Sequence, residues 1–360
     1  MPEPVLSESA QAFIRYKNSK SKAPVSKESK LRFDLAEGAF ADNRKFVFLP
    51  DRHQLALKQK ISIYADVAVD NISVFAGADE IIEIIPRLHL NSGESALVVV
   101  PTFERLIATN HKVGGKTVPY ALKEENDFEL GDEDVIRIIQ KANEVDARII
   151  WFCTPNNPTG KPISLERISS VARANPTRLV VVNEVYQEYL SFEANKSAAS
   201  LVGTFHNLLV IRSFSKAFGL AGARIGYAIA NSQLISRLES FKTMFCVSTP
   251  AQNLACSALS RKYIKETEEI IKKIGAERQE LEKFISGLDN IQCIGGSRAN
   301  FIFLRHASKD LFEELFQEGI SASDWRKAYG IDGRGFVRIS INGPELSQKL
   351  KTALARINDQ

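Results

Sequence analysis

Ser213-Phe-Ser215-Lys216-Ala-Phe-Gly-Leu-Ala-Gly-Ala-Arg224-Ile-Gly-Tyr227 is the stretch whose reading decides the fold. It follows the apolar run Leu208-Leu-Val-Ile211, which reads as a buried strand. Lys216 therefore stands at a strand mouth. Partial loss of water there lowers an amine's pKa and makes it a nucleophile toward an aldehyde. Ser213, Ser215 and Arg224 supply hydroxyls and a guanidinium suited to a phosphate ester. A lone lysine after a strand is ordinarily a solvated helix-start residue; the spacing Ser-x-Ser-Lys-x7-Arg-x-Gly sets this one apart. An imine-forming lysine beside a phosphate site points to pyridoxal phosphate.

Outward from this segment, short apolar runs alternate with helical patterns. Strands are expected at Ile72–Phe75, Ala96–Val100, Arg148–Phe152, Leu179–Val182, Leu208–Arg212 and Ile225–Ala230. Their nearly unbroken β-branched composition reads as parallel strands covered on both faces. Helices are expected between them at Asp79–Leu88, Asp132–Asn143 and Leu165–Ala174, which makes a βαβ pattern and an α/β sheet. After about residue 250 a long charged helical region, Ala251–Leu288, precedes strands at Asn300–Leu304 and Gly335–Ile341, with a helix at Ser308–Gln317 between them. The division expected is an N-terminal arm and segment, 1–43, packing on the small domain; a large α/β domain, 44–250; and a small C-terminal α+β domain, 251–360.

The 360 residues can bury a large core, and 44% hydrophobic with 25% charged is an ordinary globular balance. A net charge of +4, spread along the chain, gives no concentrated basic face for nucleic acid. The basic stretch Arg15 to Lys30 lies in a Ser/Lys-rich region that reads as a flexible arm. Cys153, Cys246, Cys256 and Cys293 lack CxxC pairing, and the five histidines lack metal-ligand spacing. With no signal-peptide pattern and no apolar run of spanning length, the reading is a cytoplasmic protein without membrane partners.

Ligands of open α/β sheets collect at the carboxyl ends of strands. Gly77-Ala78-Asp79, Pro101-Thr-Phe103, Thr154-Pro-Asn-Asn157-Pro-Thr-Gly160, Asn183-Glu-Val-Tyr186 and Ser213–Lys216 all fall there. Each is weak alone: Asp79 could simply cap a helix, Phe103 could be core, the Asn157 segment could be a turn, and Tyr186 could be buried and satisfied by backbone. As an ordered set, from about Phe33 to the C-terminus, they resemble the fold-type I pyridoxal-phosphate enzymes, aminotransferase class I/II, and within them the histidinol-phosphate aminotransferase-like branch.

The resemblance implies a large domain with a mostly parallel central sheet, a smaller α+β domain, and a homodimer whose subunits complete each other's sites. It makes Lys216 the imine lysine and proton shuttle. Ser213, Ser215, Arg224 and the backbone of Gly77, Ala78 and Asp79 would hold the cofactor phosphate. Phe103 would stack on the pyridine, Asn157 and Tyr186 would contact the ring oxygen, and Arg338, in Phe-Val-Arg-Ile-Ser, would grip the substrate's acid group.

The chain also departs from the family. Asn183 stands where the pattern has the aspartate that keeps the pyridine nitrogen protonated; exchanging a charge-assisted hydrogen bond for a neutral one costs about 1–2 kcal/mol. Glu184 cannot replace it, because adjacent strand residues face opposite ways. Residues Ala36-Glu37-Gly38-Ala39-Phe40-Ala41 replace Asn-Glu-Asn-Pro-Tyr-Gly, and Phe48 is the nearest match to a tyrosine that reaches the partner's cofactor phosphate. Ser323 precedes Asp324 where the histidinol-phosphate enzymes carry an arginine, which argues against that substrate. The function expected is an aminotransferase acting on an amino acid or related primary amine. The alternatives are a pyridoxal-phosphate decarboxylase, lyase, cyclase or racemase, and a non-catalytic relative that keeps the cofactor.

Overall fold

The computed structural model describes residues 3–19 and 48–359, without the side chains of residues 18 and 19. The motif at 36–41, most of the basic stretch and the boundary at residue 43 lie outside the described residues. The strands are β1 (Ile72–Phe75), β2 (Ser95–Val100), β3 (Lys116–Ala121), β4 (Ala147–Cys153), β5 (Leu179–Asn183), β6 (Leu208–Ser213) and β7 (Gly226–Ala230), then β8 (Ile291–Ile294), β9 (Phe301–His306), β10 (Ser323–Asp324) and β11 (Val337–Ser340). The first six helices are α1 (Glu8–Ser19), α2 (Leu55–Ala65), α3 (Ala78–His89), α4 (Arg105–His111), α5 (Asp132–Glu144) and α6 (Leu165–Ala174). The remainder are α7 (Gln187–Leu190), α8 (Ser232–Phe241), α9 (Thr249–Ala258), α10 (Arg261–Ile285), α11 (Leu311–Gln317) and α12 (Pro344–Asp359).

Helix starts follow the sequence. Ser164, Asn231 and Ser260 sit extended just before α6, α8 and α10, and their side-chain oxygens accept first-turn N–H groups. Pro344 opens α12, where a missing N–H costs nothing.

The large sheet runs β1-β7-β6-β5-β4-β2-β3. From β3 to β6 every pairing is parallel. Strand β7 runs against both its neighbours, so the parallel reading of Ile225–Ala230 is corrected. The β6–β7 connection holds only a short 3-10 turn, and a parallel return needs a longer crossover, usually a helix. A strand buried on both faces looks the same from sequence in either direction. Strand β3, absent from the expected set, is a half-exposed edge strand that tolerates Pro119.

Alternation along each strand divides the interior in two. Val180, Val182, Leu208 and Val210 face one core with α2 and α9; Leu179, Val181, Leu209 and Ile211 face another with α3 and α8. Full burial of each such side chain is worth about 1.5–3 kcal/mol before entropy is counted. A second, antiparallel sheet, β10-β11-β9-β8, packs with α10, α11 and α12 around a separate core.

Two expectations about domains change. Helix α1 lies on α3 and α8 of the large domain, not on the small one: the Ser7 N–H donates to Leu88 O at 2.7 Å, and Phe13 meets Phe241 edge to face at 5.0 Å. Ala251, Ala255 and Ala258 of α9 belong to the large core, so the chain passes to the small domain along α10 rather than at residue 250. Small residues on one face let α9 approach α2 closely, which the charged pattern of the region concealed.

Candidate functional site

The ends of β4, β5 and β6 and the start of α3 converge on a cavity of about 220 Å³. Its lining brings together Ala78, Asp79, Phe103, Asn157, Asn183, Tyr186, Ser213, Ser215, Lys216, Arg224 and Arg338. Of the residues anticipated from sequence, only Gly77 is missing from the wall, and it lies directly beneath one side of it. At φ +85° Gly77 takes a conformation that side chains rarely adopt, and a Cβ there would sit 2.7 Å from Arg224 Nη2. It opens α3, whose first N–H groups have no acceptor within the helix and face the cavity rim.

Arg224, itself at φ 51°, donates to Asp79 Oδ2 at 2.8 Å. Asp79 Oδ1 in turn lies 3.2 Å from Arg105 Nε. The Ser213 hydroxyl accepts the Ser215 N–H at 3.1 Å and donates to Ile225 O at 3.3 Å, which pins the turn into Lys216. The Lys216 amine lies 5.6 Å from the centre of the Tyr186 ring. Although the side chain is exposed to the open cavity, its pKa is lowered, first by desolvation and then by Arg338 and Arg224, against the opposing pull of Asp79.

On the opposite wall, Arg338 of β11 donates from Nη1 to Asn157 Oδ1 at 2.6 Å and lies over Phe301, 5.0 Å from the ring centre. Burial lowers its pKa, Tyr186 opposes that, and its Nε is buried without a partner. The Tyr186 ring meets Phe301 edge to face at 5.2 Å, and burial pushes its phenol up to about 12. Asn183, at the end of β5, lines the cavity and accepts the Val185 N–H on Oδ1 at 3.3 Å. Glu184 points the other way, as alternation requires: it accepts from Ser197 and from the Ala198 N–H and pairs with Arg212.

Sequence reasoning missed Cys153, Ile82, Val185 and Ala221, which complete the wall. Cys153 was within reach of it, being the last residue of β4 and in register with Asn183. Burial raises its thiol to about 11, so it is an inert wall residue rather than a nucleophile. Phe48, 67% exposed, is not part of the cavity wall.

The model of the aminotransferase class I and II family matches residues 14–357. The chain belongs to that family. Histidinol-phosphate aminotransferase 1 of Bacillus cereus is 31% identical over 327 residues, covering 88% of this chain and 83% of the relative. The histidinol-phosphate aminotransferase of Clostridium acetobutylicum superposes with a TM-score of 0.76 at 24% identity, over 87% of this chain and 91% of that one. The enzyme of the same name from Sinorhizobium meliloti, solved with pyridoxal-5'-phosphate, gives 0.73 at 22% identity, over 98% and 87%. At these identities the structural likeness speaks for the fold.

The donor set of this aminotransferase fits pyridoxal phosphate. A glycine-opened helix start with Arg224 and two serine hydroxyls suits the phosphate, and a lysine of lowered pKa suits the aldehyde. Among the described residues no cluster could hold a metal ion, and no helix is long and apolar enough to cross a membrane.

Proposed function

We propose the following residue roles for a pyridoxal-phosphate-dependent aminotransferase acting on an amino acid or related primary amine. The cofactor supplies an aldehyde carbon that exchanges amines and a conjugated ring that delocalises the electron pair of the substrate Cα–H bond. Gly77, Ala78, Asp79, Ser213, Ser215 and Arg224 hold its phosphate, with Asp79 fixing the Arg224 fork. Phe103 covers the ring, and Asn157 and Tyr186 donate to its oxygen. The observation that carries this reading is the lowered pKa of Lys216 inside a cavity ringed by anion donors.

With the cofactor bound, Lys216 would hold it through its aldehyde and, once released as an amine, would carry the proton taken from the substrate Cα. Desolvation together with Arg338 and Arg224 lowers the pKa of that amine, against the pull of Asp79. Arg338, oriented by Asn157 and Phe301, receives the substrate carboxylate in a bidentate pair. Asn183, a neutral amide, would hydrogen-bond the pyridine nitrogen without holding a proton there by charge. The ring is therefore a weaker electron sink than an aspartate would make it, by about 1–2 kcal/mol.

The reading includes a homodimer in the cytoplasm. Exposed Ile63 on α2 and Leu254 on α9, two helices packed on each other, support a self-association face. The test is to load the protein with cofactor, trap it with borohydride and map the modified peptide, then follow the cofactor absorbance with a panel of amino acids. Trapping at Lys216 and conversion to the amine form by a donor are expected. Trapping elsewhere, or no conversion by any donor, overturns the assignment.

A further inference from the structure

A second cavity, of about 400 Å³, opens from the first and shares Phe103, Asn157 and Arg338 with it. Its remaining wall comes largely from the small-domain loop after β10, which carries Trp325 and Tyr329, with Ile107 of α4 opposite. For a substrate whose carboxylate is held by Arg338 and whose Cα lies at Lys216, this space is open to the side chain. We propose that the cavity selects amino donors with a bulky, uncharged aromatic side chain, and that Trp325, positioned by Ser323, determines that preference. This rests on the roles of Arg338 and Lys216 given above.

Three observations carry it. The Trp325 indole N–H donates to Ser323 Oγ at 3.1 Å, and its ring stands edge-on to Phe303 at 6.2 Å and 85°, so the aromatic wall is locked from both sides. The loop is also fastened to the large domain. Gly330, at φ +77°, comes so close to Val100 and Pro101 that a Cβ would sit 3.1 Å from Val100 Cγ2, and Arg334 pairs with Glu124 at 2.6 Å. A preformed aromatic slot binds a flat ring with little ordering cost.

The third observation is charge. Arg326, next to Trp325 in sequence, is already engaged by Asp324 at 2.9 Å, Asp310 at 2.6 Å and Glu313 at 3.1 Å and is not in the cavity wall. At the exposed mouth Lys327 and Glu104 offer one charge of each sign. Ser323, at the position where an arginine was expected, hydrogen-bonds the indole, so that among the described residues the cavity wall carries Arg338 and, at its mouth, Lys327 as cations.

The half-reaction exchanges the donor's amino group for the cofactor's aldehyde oxygen. The donor leaves as its 2-oxo acid and the aldehyde becomes a primary amine, with no outside oxidant or reductant. Single-turnover rates of the cofactor-loaded enzyme with phenylalanine, tyrosine, alanine, aspartate and histidinol phosphate read the preference. Phenylalanine and tyrosine are expected to exceed aspartate and histidinol phosphate by about tenfold or more in rate over dissociation constant. Trp325→Ala should lower the phenylalanine-to-alanine ratio by about tenfold. Ser323→Ala should lower it less, and Ser323→Thr should restore it. Trp325→Phe, which keeps a ring in place, provides a folded comparison if Trp325→Ala does not fold. Aspartate or histidinol phosphate as the best donor, or a ratio unmoved by both Trp325 variants, overturns the proposal. If the cofactor is trapped at Lys216 but no amino acid reacts, the transamination roles fail on their own. Calorimetric binding of 3-phenylpropionate against propionate then decides the cavity: tighter binding of the aromatic acid supports it and equal binding overturns it.

Discussion

On one face of the large sheet β5 and β6 end in Asn183 and Ser213, which look into an open cavity; on the other, Glu184 and Arg212, each one residue away in sequence, meet in the buried interior. Behind the sheet the Arg212 guanidinium reaches Glu188 at 2.6 Å and Glu184 at 3.4 Å, with Tyr64 and Tyr227 nearby, all buried or nearly so. In front, Lys216, Arg224 and Asp79 remain half-exposed. Both faces are built of charged side chains. The closed face pairs Arg212 with two carboxylates, though Arg212 Nε and Glu188 Oε2 stay unpartnered, while the open face leaves donors pointed at a shared space. The same strand alternation that hides one pair presents the other.

Variants on the two faces should therefore fail in different ways. The largest effect belongs to the open face: Lys216→Ala is expected to lower the rate of the half-reaction by roughly 10²–10⁴-fold, with the urea midpoint of the cofactor-free protein little changed. Residual turnover near the native rate would break the distinction.

On the closed face, Arg212→Met leaves two carboxylates buried without their partner, and removing one member of such a group costs about 3–5 kcal/mol. Urea unfolding should show that loss as a lower midpoint at unchanged slope. A stable variant that has lost only activity would show instead that the closed face takes part in the chemistry.

Asn183→Asp sharpens the comparison, because the strand end stays in place and only the charge facing the cavity changes. Returning a counter-charge to the ring nitrogen should raise the half-reaction rate about tenfold, measured in single turnover. A fall in rate would mean that the weaker electron sink serves the native reaction.

The smallest effect is one of linkage. The folded chain releases the Lys216 proton at lower pH than the unfolded chain does, so stability of the cofactor-free protein should rise with pH between the lowered folded value and 10.5. Lys216→Met should flatten that rise in a series of urea midpoints from about pH 7 to about 10. An unchanged slope would place the titrating group elsewhere.

Strand and helix positions around the cavity could be read from the chain because their causes are local. Continuous β-branched runs such as Leu179–Val182 and Leu208–Arg212 can only be covered strands, and oxygen-bearing residues before periodic segments mark helix starts. Alternation then dictated that Asn183 and Glu184 part company. The residues expected in the cavity line its wall or, for Gly77, lie beneath it, because all but Arg338, which β11 of the small sheet supplies, lie at or beside strand ends of the large sheet.

What depended on the tertiary structure are features set by contacts far apart in sequence. The reversal of β7 follows from the absence of a crossover helix, and a doubly buried strand carries no mark of direction. The docking of α1 on α3 and α8, and of α9 on α2, is decided by packing partners that no local pattern names. Trp325 became part of the site only because Gly330 and Arg334 bring its loop down on the ends of large-domain strands. Local periodicity is written residue by residue, whereas the meeting of two domains over one cavity depends on the free energy of the whole packed chain.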